Sequence, residues 1–299
     1  MSHITRREFV RSAAVAAPLI VSPSIFGSIT RAAANDRIGL GFIGTGKRAF
    51  EMFGSFLDAP EIHAVAVCDV DTTRRDRYPA AMCNLYSLTK GQAAIRDLFR
   101  ARNDRTGNLP LFPGIFPDQM APIVRMSADG ERELVMARWG MPGPPQFGGQ
   151  PVTNIRNVKS PHWRRWLGQA SRCIVPATSF CEYADTKPRK TPNWFALSDD
   201  RPLFAFAGLW TPWRGMRGLK SAPIDGDHEL FGFLTTEANA VAAPIHPKAM
   251  PVILTTPEEI DLWLHADAPK ALELQRPLPD DALKIVASGE REDRAREAA

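Results

Sequence analysis

The sequence predicts an α+β protein: a curved, mostly antiparallel β-sheet with a barrel-like core and peripheral helices, preceded by a truncated Rossmann-like β-α-β fragment. Three observations predict it. Short apolar runs bounded by turn residues recur from Arg132 to Thr256, in "RELVMARWG", "RCIVPA", "NWFAL", "LFAFAGLW", "LFGFLTT" and "MPVILTT". Helical periodicity is confined to a few short stretches among them. Near the start, one Gly-x-Gly turn separates two apolar runs, and nothing after it continues a doubly wound sheet.

Taken in order, residues 1–34 open with Thr5, Arg6, Arg7 and Phe9 ahead of an apolar run from Ala13 to Ile25, and Ala32-Ala33-Ala34 offers a small-residue cleavage site. This reads as a twin-arginine export signal, with a basic disordered tail as the plainer alternative. Pro18 and Pro23 break the run, which is too short for a membrane span. Residues 35–76 follow as strand, Gly44-x-Gly46-x-x-Ala49, helix and second strand ending at Asp69. Glycines let a backbone approach a pyrophosphate, a helix N-terminus faces its charge, and an acid at the end of the second strand grips a ribose hydroxyl. The stretch resembles the opening of the glucose-fructose oxidoreductase family. Gly44, Gly46 and Asp69 are then a cofactor-site remnant, since two strands and one helix cannot bury an adequate core.

Beyond residue 82 the texture changes. Thr89 and Gln92 have capping-box spacing ahead of a helix carrying Ile95, Leu98 and Phe99 on one face. Residues 107–122 read as a Pro/Gly-rich loop. Ser160-Pro161 reads as the start of a helix bearing Trp163, Trp166 and Leu167. Thr256 with Glu259 caps another helix through Trp263, and residues 289–299 read as a charged, disordered tail. The chain has 299 residues, 44% apolar and 23% charged, with a formal charge of +4. Such a composition suits globular domains and leans only weakly toward an anionic partner. Four cysteines, Cys68, Cys83, Cys173 and Cys181, show no CxxC spacing, which argues against a disulfide framework or a zinc cluster.

The segments "MCNLYSLT", "ARWGMP", "TNIRN", "SRCIVPATSFCEY", "FAFAGLW", "LTTEAN" and "IHPKAMPVIL" occur in the order and at about the spacings of the SOS-response-associated peptidase (SRAP) family, the abasic-site processing proteins. The resemblance covers residues 82–288. It implies an N-terminal cysteine, Cys83, whose α-amine and thiol capture the aldehyde of an abasic site in single-stranded DNA as a thiazolidine. It implies Glu182 and His246 as proton-handling groups, and Asn154 as an orienting group. It matches Arg156 and Arg172 to phosphate-contacting positions and Trp139 to an aromatic stacking surface; Arg164 and Arg165, in "HWRRW", are further contact candidates. Trp139 reads equally well as core, and Cys173 and Cys181 read as structural. The expected protein is a monomer without cofactor, metal or membrane partner.

Two departures stand out. Asn84-Leu85 replaces the Gly-Arg pair common in the family, which removes one expected phosphate contact. Residues also precede Cys83, and an amide nitrogen cannot form an imine. Translation from Met82 with removal of the initiator would free it and imply a cytoplasmic protein, whereas export of the full chain is the alternative. Self-cleavage before Cys83, as the peptidase name implies, would free it too. An inactive fusion or NAD(P)-binding remnant is the remaining reading.

Overall fold

The computed structural model describes residues 38–43, 62–68, 85–145, 149–187, 189–219 and 222–293. The chain divides into two compact units, Met1–Tyr78 and Pro79–Ala299. In the first, β1 (Ile38–Ile43) and β2 (Ile62–Cys68) pair in parallel. The export-signal segment, Gly44, Gly46 and Asp69 lie outside the described residues, as do Cys83 and Asn84.

The second unit begins with β3 (Tyr86–Leu88), α1 (Gln92–Phe99), β4 (Asn103–Asp104) and β5 (Phe112–Ile115). Next come β6 (Met120–Met126), β7 (Arg132–Trp139), β8 (Asn154–Ile155), β9 (Arg172–Ala177), β10 (Ser179–Ala184) and β11 (Thr191–Ala196). The long hairpin β12 (Phe204–Leu219) and β13 (Ala222–Thr236) precedes β14 (Met250–Pro251) and β15 (Ile253–Leu254). Helices α2 (Pro257–His265) and α3 (Ala268–Ala271) and strand β16 (Lys284–Ser288) complete it.

Five of these strands close on themselves. β13 pairs β12, β12 pairs β9, β9 pairs β6 and β6 pairs β7, all antiparallel. β7 then returns to β13 in parallel through Arg138↔Leu230 and Trp139↔Phe231, so the ring leaves no open edge. A second sheet, in the order β16-β11-β10-β3-β5, is fed directly from the barrel. Only Thr178 separates β9 in the barrel from β10 in the sheet. Aromatic rings join the two layers: Tyr86 meets Trp139, Phe206 and Phe233 edge-on at centroid distances of 5.1, 5.6 and 6.0 Å, and Phe180 meets Phe206 edge-on at 6.4 Å.

The strand runs named from sequence form β7, β9, β11, β12, β13 and β14–β15. Thr256 caps α2 as expected, accepting from the Glu259 amide while the Glu259 carboxylate accepts from the Thr256 amide. Four local expectations fail. Gly91, not Thr89, caps α1, because the Gln92 side chain is drawn to Asp104 and Gly107 O and the Thr89 hydroxyl to Thr178. Residues 107–122 contain β5 and the start of β6, where Pro113 and Pro122 sit within strands. After Ser160-Pro161 no α-helix forms, only the short 3₁₀ turns Arg164–Trp166 and Gln169–Ser171. The tail is ordered through Asp293, which is buried and ion-paired with Arg201 at 2.7 Å.

Candidate active site

Glu182 lies on β10 opposite Asn193 and is 3% exposed. His246 lies in the loop after β13, where its amide donates to Ala242 O at 2.9 Å. That loop re-enters the barrel wall through β14, whose Met250 pairs with Thr236. The turn brings His246 Nδ1 within 3.7 Å of a Glu182 carboxylate oxygen. Nδ1 also sits 2.8 Å from Ala249 O. A carbonyl only accepts, so Nδ1 carries the hydrogen and Nε2 is the nitrogen that gains or loses a proton.

Asn154 reaches the same end of the barrel from another direction. β8 pairs in parallel with β13 through Asn154↔Phe233, two residues before the Thr235–Thr236 stretch that holds β14. One strand therefore positions both Asn154 and the His246 loop. Asn154 is 4% exposed, and its amide donates to the Thr153 hydroxyl at 3.0 Å. Thr153 O in turn accepts from the Trp139 indole at 3.2 Å.

That hydrogen bond defines the role of Trp139. The residue is fully buried, stacked at 5.2 Å on Phe233, and presents no face to solvent. It is core, and the stacking-platform reading does not stand. Arg172 is corrected likewise. At 1% exposure, with its guanidinium donating to Ala266 O and lying 5.5 Å from the Trp263 ring, it is a buried prop that no DNA phosphate reaches. Burial pushes its pKa down, partly offset by the Asp267 carboxylate. Periodicity hid both residues because a strand that closes a barrel and also carries flanking structure is buried on both faces.

The other basic candidates face solvent. Arg156 follows β8 directly; it is half-exposed, 3.5 Å from Glu237 and 3.4 Å from Lys248 O in the His246 loop. Arg164 and Arg165 are exposed, with Arg165 stacked 4.2 Å over Trp166, whose ring and that of Trp163 are buried. Leu85, at the position where the family's arginine was expected, is fully buried against Cys181 and Trp194. Its carbonyl accepts from the Cys181 amide at 2.9 Å, one residue before Glu182. Glu237, which pairs Arg156, stands in the "LTTEAN" segment, and only the fold shows its proximity to Arg156.

A family model described as SOS response associated peptidase (SRAP) matches residues 82–290. The chain belongs to this family. Among SRAP relatives, the "Abasic site processing protein YoqW" of Bacillus subtilis (strain 168) is 34% identical over 153 residues, covering 48% of this chain and 62% of that protein. "Abasic site processing protein YoaM" of the same strain is 36% identical over 154 residues, with the same coverage. The chain thus spans less than two thirds of the length of the curated relatives it matches. A crystal structure from Bordetella bronchiseptica, 24% identical, superimposes with a TM-score of 0.55 over 69% of this chain and 98% of that one. One from Bacteroides thetaiotaomicron, 21% identical, gives 0.51 over 69% and 90%. The aligned 69% of this chain accounts for nearly all of the first of these structures.

Proposed function

We propose that this SRAP domain captures abasic sites in single-stranded DNA by forming a covalent crosslink through Cys83. The relatives' name supports the substrate class. The observation that carries the reading is the Glu182–His246 pair beside the start of the domain. Leu85 is hydrogen-bonded to Cys181, the neighbour of Glu182, and Cys83 is two residues from Leu85, a span of at most about 7 Å.

The chemistry explains why the residue must be a cysteine with a free α-amine. A ring-opened abasic sugar exposes an aldehyde at C1′. The amine, with a reference pKa of roughly 7.7–8.0, adds to it and loses water to give an imine. The thiolate then adds to the same carbon, and the imine nitrogen takes up a proton as the five-membered thiazolidine closes. The two proton transfers fall to a carboxylate and an imidazole, Glu182 and His246 Nε2, with the protonated imidazole assisting ring opening. Arg156, Arg164 and Arg165 serve the phosphates on either side, where guanidinium forks suit paired oxygens.

In the full chain the Cys83 nitrogen is an amide, so residues 1–82 have to be absent or removed before capture. Cleavage before Cys83, assisted by Glu182, is the second reading and is favoured by that same adjacency. Because the substrate is chromosomal DNA, the proposal sets the domain in the cytoplasm.

The test is a protein whose translation begins at Met82, with the initiator removed, incubated with a single-stranded oligonucleotide bearing one abasic site. A heat-stable adduct is expected for the native sequence and none for Cys83→Ala. Equal adduct from the alanine variant would sink the assignment.

A further inference from the structure

The second sheet contains a buried polar cluster around β3 and the start of β10, and no step of the proposed reaction uses it. Ser87, fully buried on β3, lies 3.0 Å from the Thr178 hydroxyl and 2.7 Å from the Ser179 hydroxyl. Ser179 donates onward to Asp293 Oδ2 at 2.5 Å. The Asp293 carboxylate also receives Arg201 Nε at 2.8 and 2.7 Å, and its own amide donates to Pro113 O on β5 at 2.8 Å. Arg201 Nη1 donates to Asp199 O at 2.8 Å and Nη2 to Val286 O at 3.4 Å, from a left-handed backbone conformation with φ of 48°. A non-glycine residue holds that conformation only where its surroundings over-determine it.

What this cluster fixes is register. β3 has three residues, too few for its ladder to hold it firmly. Its backbone pairs with β10 at Ser87↔Ser179 and Tyr86↔Phe180, and Thr178 N donates to Ser87 O at 2.8 Å. Buried hydroxyls tied to a paired carboxylate add a side-chain lock at the pair nearest the barrel, because an unmatched hydroxyl there would go without a partner. Ser87 is four residues after Cys83, and Ser179 is three residues before Glu182. The lock therefore sets how far along β10 the chain leading back to Cys83 can slide.

We propose that Asp293 is a positioning residue: through Ser179 and Ser87 it holds β3 in the register that delivers Cys83 to Glu182. The inference rests on the crosslinking function proposed above.

Asp293→Asn keeps the shape but weakens both charged hydrogen bonds, and Ser179→Ala removes the relay hydroxyl. With the protein beginning at Cys83, the single-turnover rate of adduct formation at saturating abasic oligonucleotide is expected to fall about tenfold in both variants. DNA affinity, measured with an uncleaved tetrahydrofuran analogue that lacks the aldehyde, is expected to stay within twofold. Assays run well below each variant's melting temperature, with rates expressed per folded molecule, keep lost stability from passing as lost positioning. Unchanged rates in both variants, with only the melting temperature lowered, would overturn the proposal and leave the crosslinking function standing. Failure of the native sequence itself to form an adduct would instead remove the crosslinking function and this inference with it.

Discussion

At the scale of single residues, Cys173 and Cys181 show how environment separates a reactive thiol from a structural one. Burial pushes the Cys173 thiol far up, and burial with the neighbouring Glu182 charge pushes Cys181 to about 12. Both are therefore protonated in the folded protein at any ordinary pH. The expected outcome is that a thiol reagent at pH 8, followed by peptide mapping, leaves Cys173 and Cys181 unmodified until denaturant is added. The sign for stability follows. An unfolded thiol ionises near pH 8.5 while the folded one does not, so this contribution is constant below about pH 8.5 and is lost as the pH climbs toward 12. Rapid labelling of Cys181 in the native state would contradict its burial. Glu182 and His246 stand out in the sequence because each sits in a distinctive short segment, and the fold brings them within 3.7 Å of each other. The sequence could not reveal that Trp139 supports Thr153 O or that Arg172 is enclosed by Trp263 and Ala266. A tryptophan or arginine at a strand end carries the same letters whether its neighbours cover it or not.

Individual elements were legible where local chemistry decides them and illegible where distant partners do. The α2 capping box needs only residues 256–259, and it forms as read. The apparent box at Thr89–Gln92 fails because Asp104, Gly107 and Thr178 compete for the same side chains. Strands β3, β5, β6 and β16 escaped notice for a related reason: prolines, short lengths or charged neighbours mask them, and pairing across the sheet rather than propensity makes them strands. Close packing between elements gives a sharper test. At Gly208 on β12, a Cβ would meet Cys173 Sγ at 2.8 Å and Val175 Cγ2 at 3.0 Å on neighbouring β9. Gly208→Ala is expected to lower stability by about 1–3 kcal/mol in urea unfolding, the usual cost of overpacking a core. Thr256→Ala is expected to cost about 1 kcal/mol through its lost cap. A neutral Gly208→Ala would mean that β9 and β12 separate more easily than their pairing suggests.

For the molecule as a whole, the sequence conveyed a curved antiparallel sheet but not its closure. The seam rests on two parallel pairs between β7 and β13, joining residues some ninety positions apart, and no pattern within either strand announces it. The chain divides into its two compact units at Tyr78/Pro79. Which of the two units accompanies the chemistry is an experimental question with a direct answer. Intact mass of the protein isolated from its native cell is expected to begin at Cys83, with the α-amine exposed. A mass that retains Met1, or that begins near Asn35, would mean that the amine is blocked and that this chain does not capture aldehydes.

The Asp293 clasp also bears on how the protein is made. Ser179 and Asp293 are 114 residues apart, and the ribosome adds roughly 5–20 residues per second, so about 6–23 s pass between the synthesis of one partner and that of the other. Throughout that interval the barrel strands β6, β7 and β9 are already available to pair, while the lock on β3 has no carboxylate to close on. A message truncated just short of Asp293 would thus still encode every strand of the barrel, while Ser179 and Ser87 would lack the carboxylate that closes their cluster.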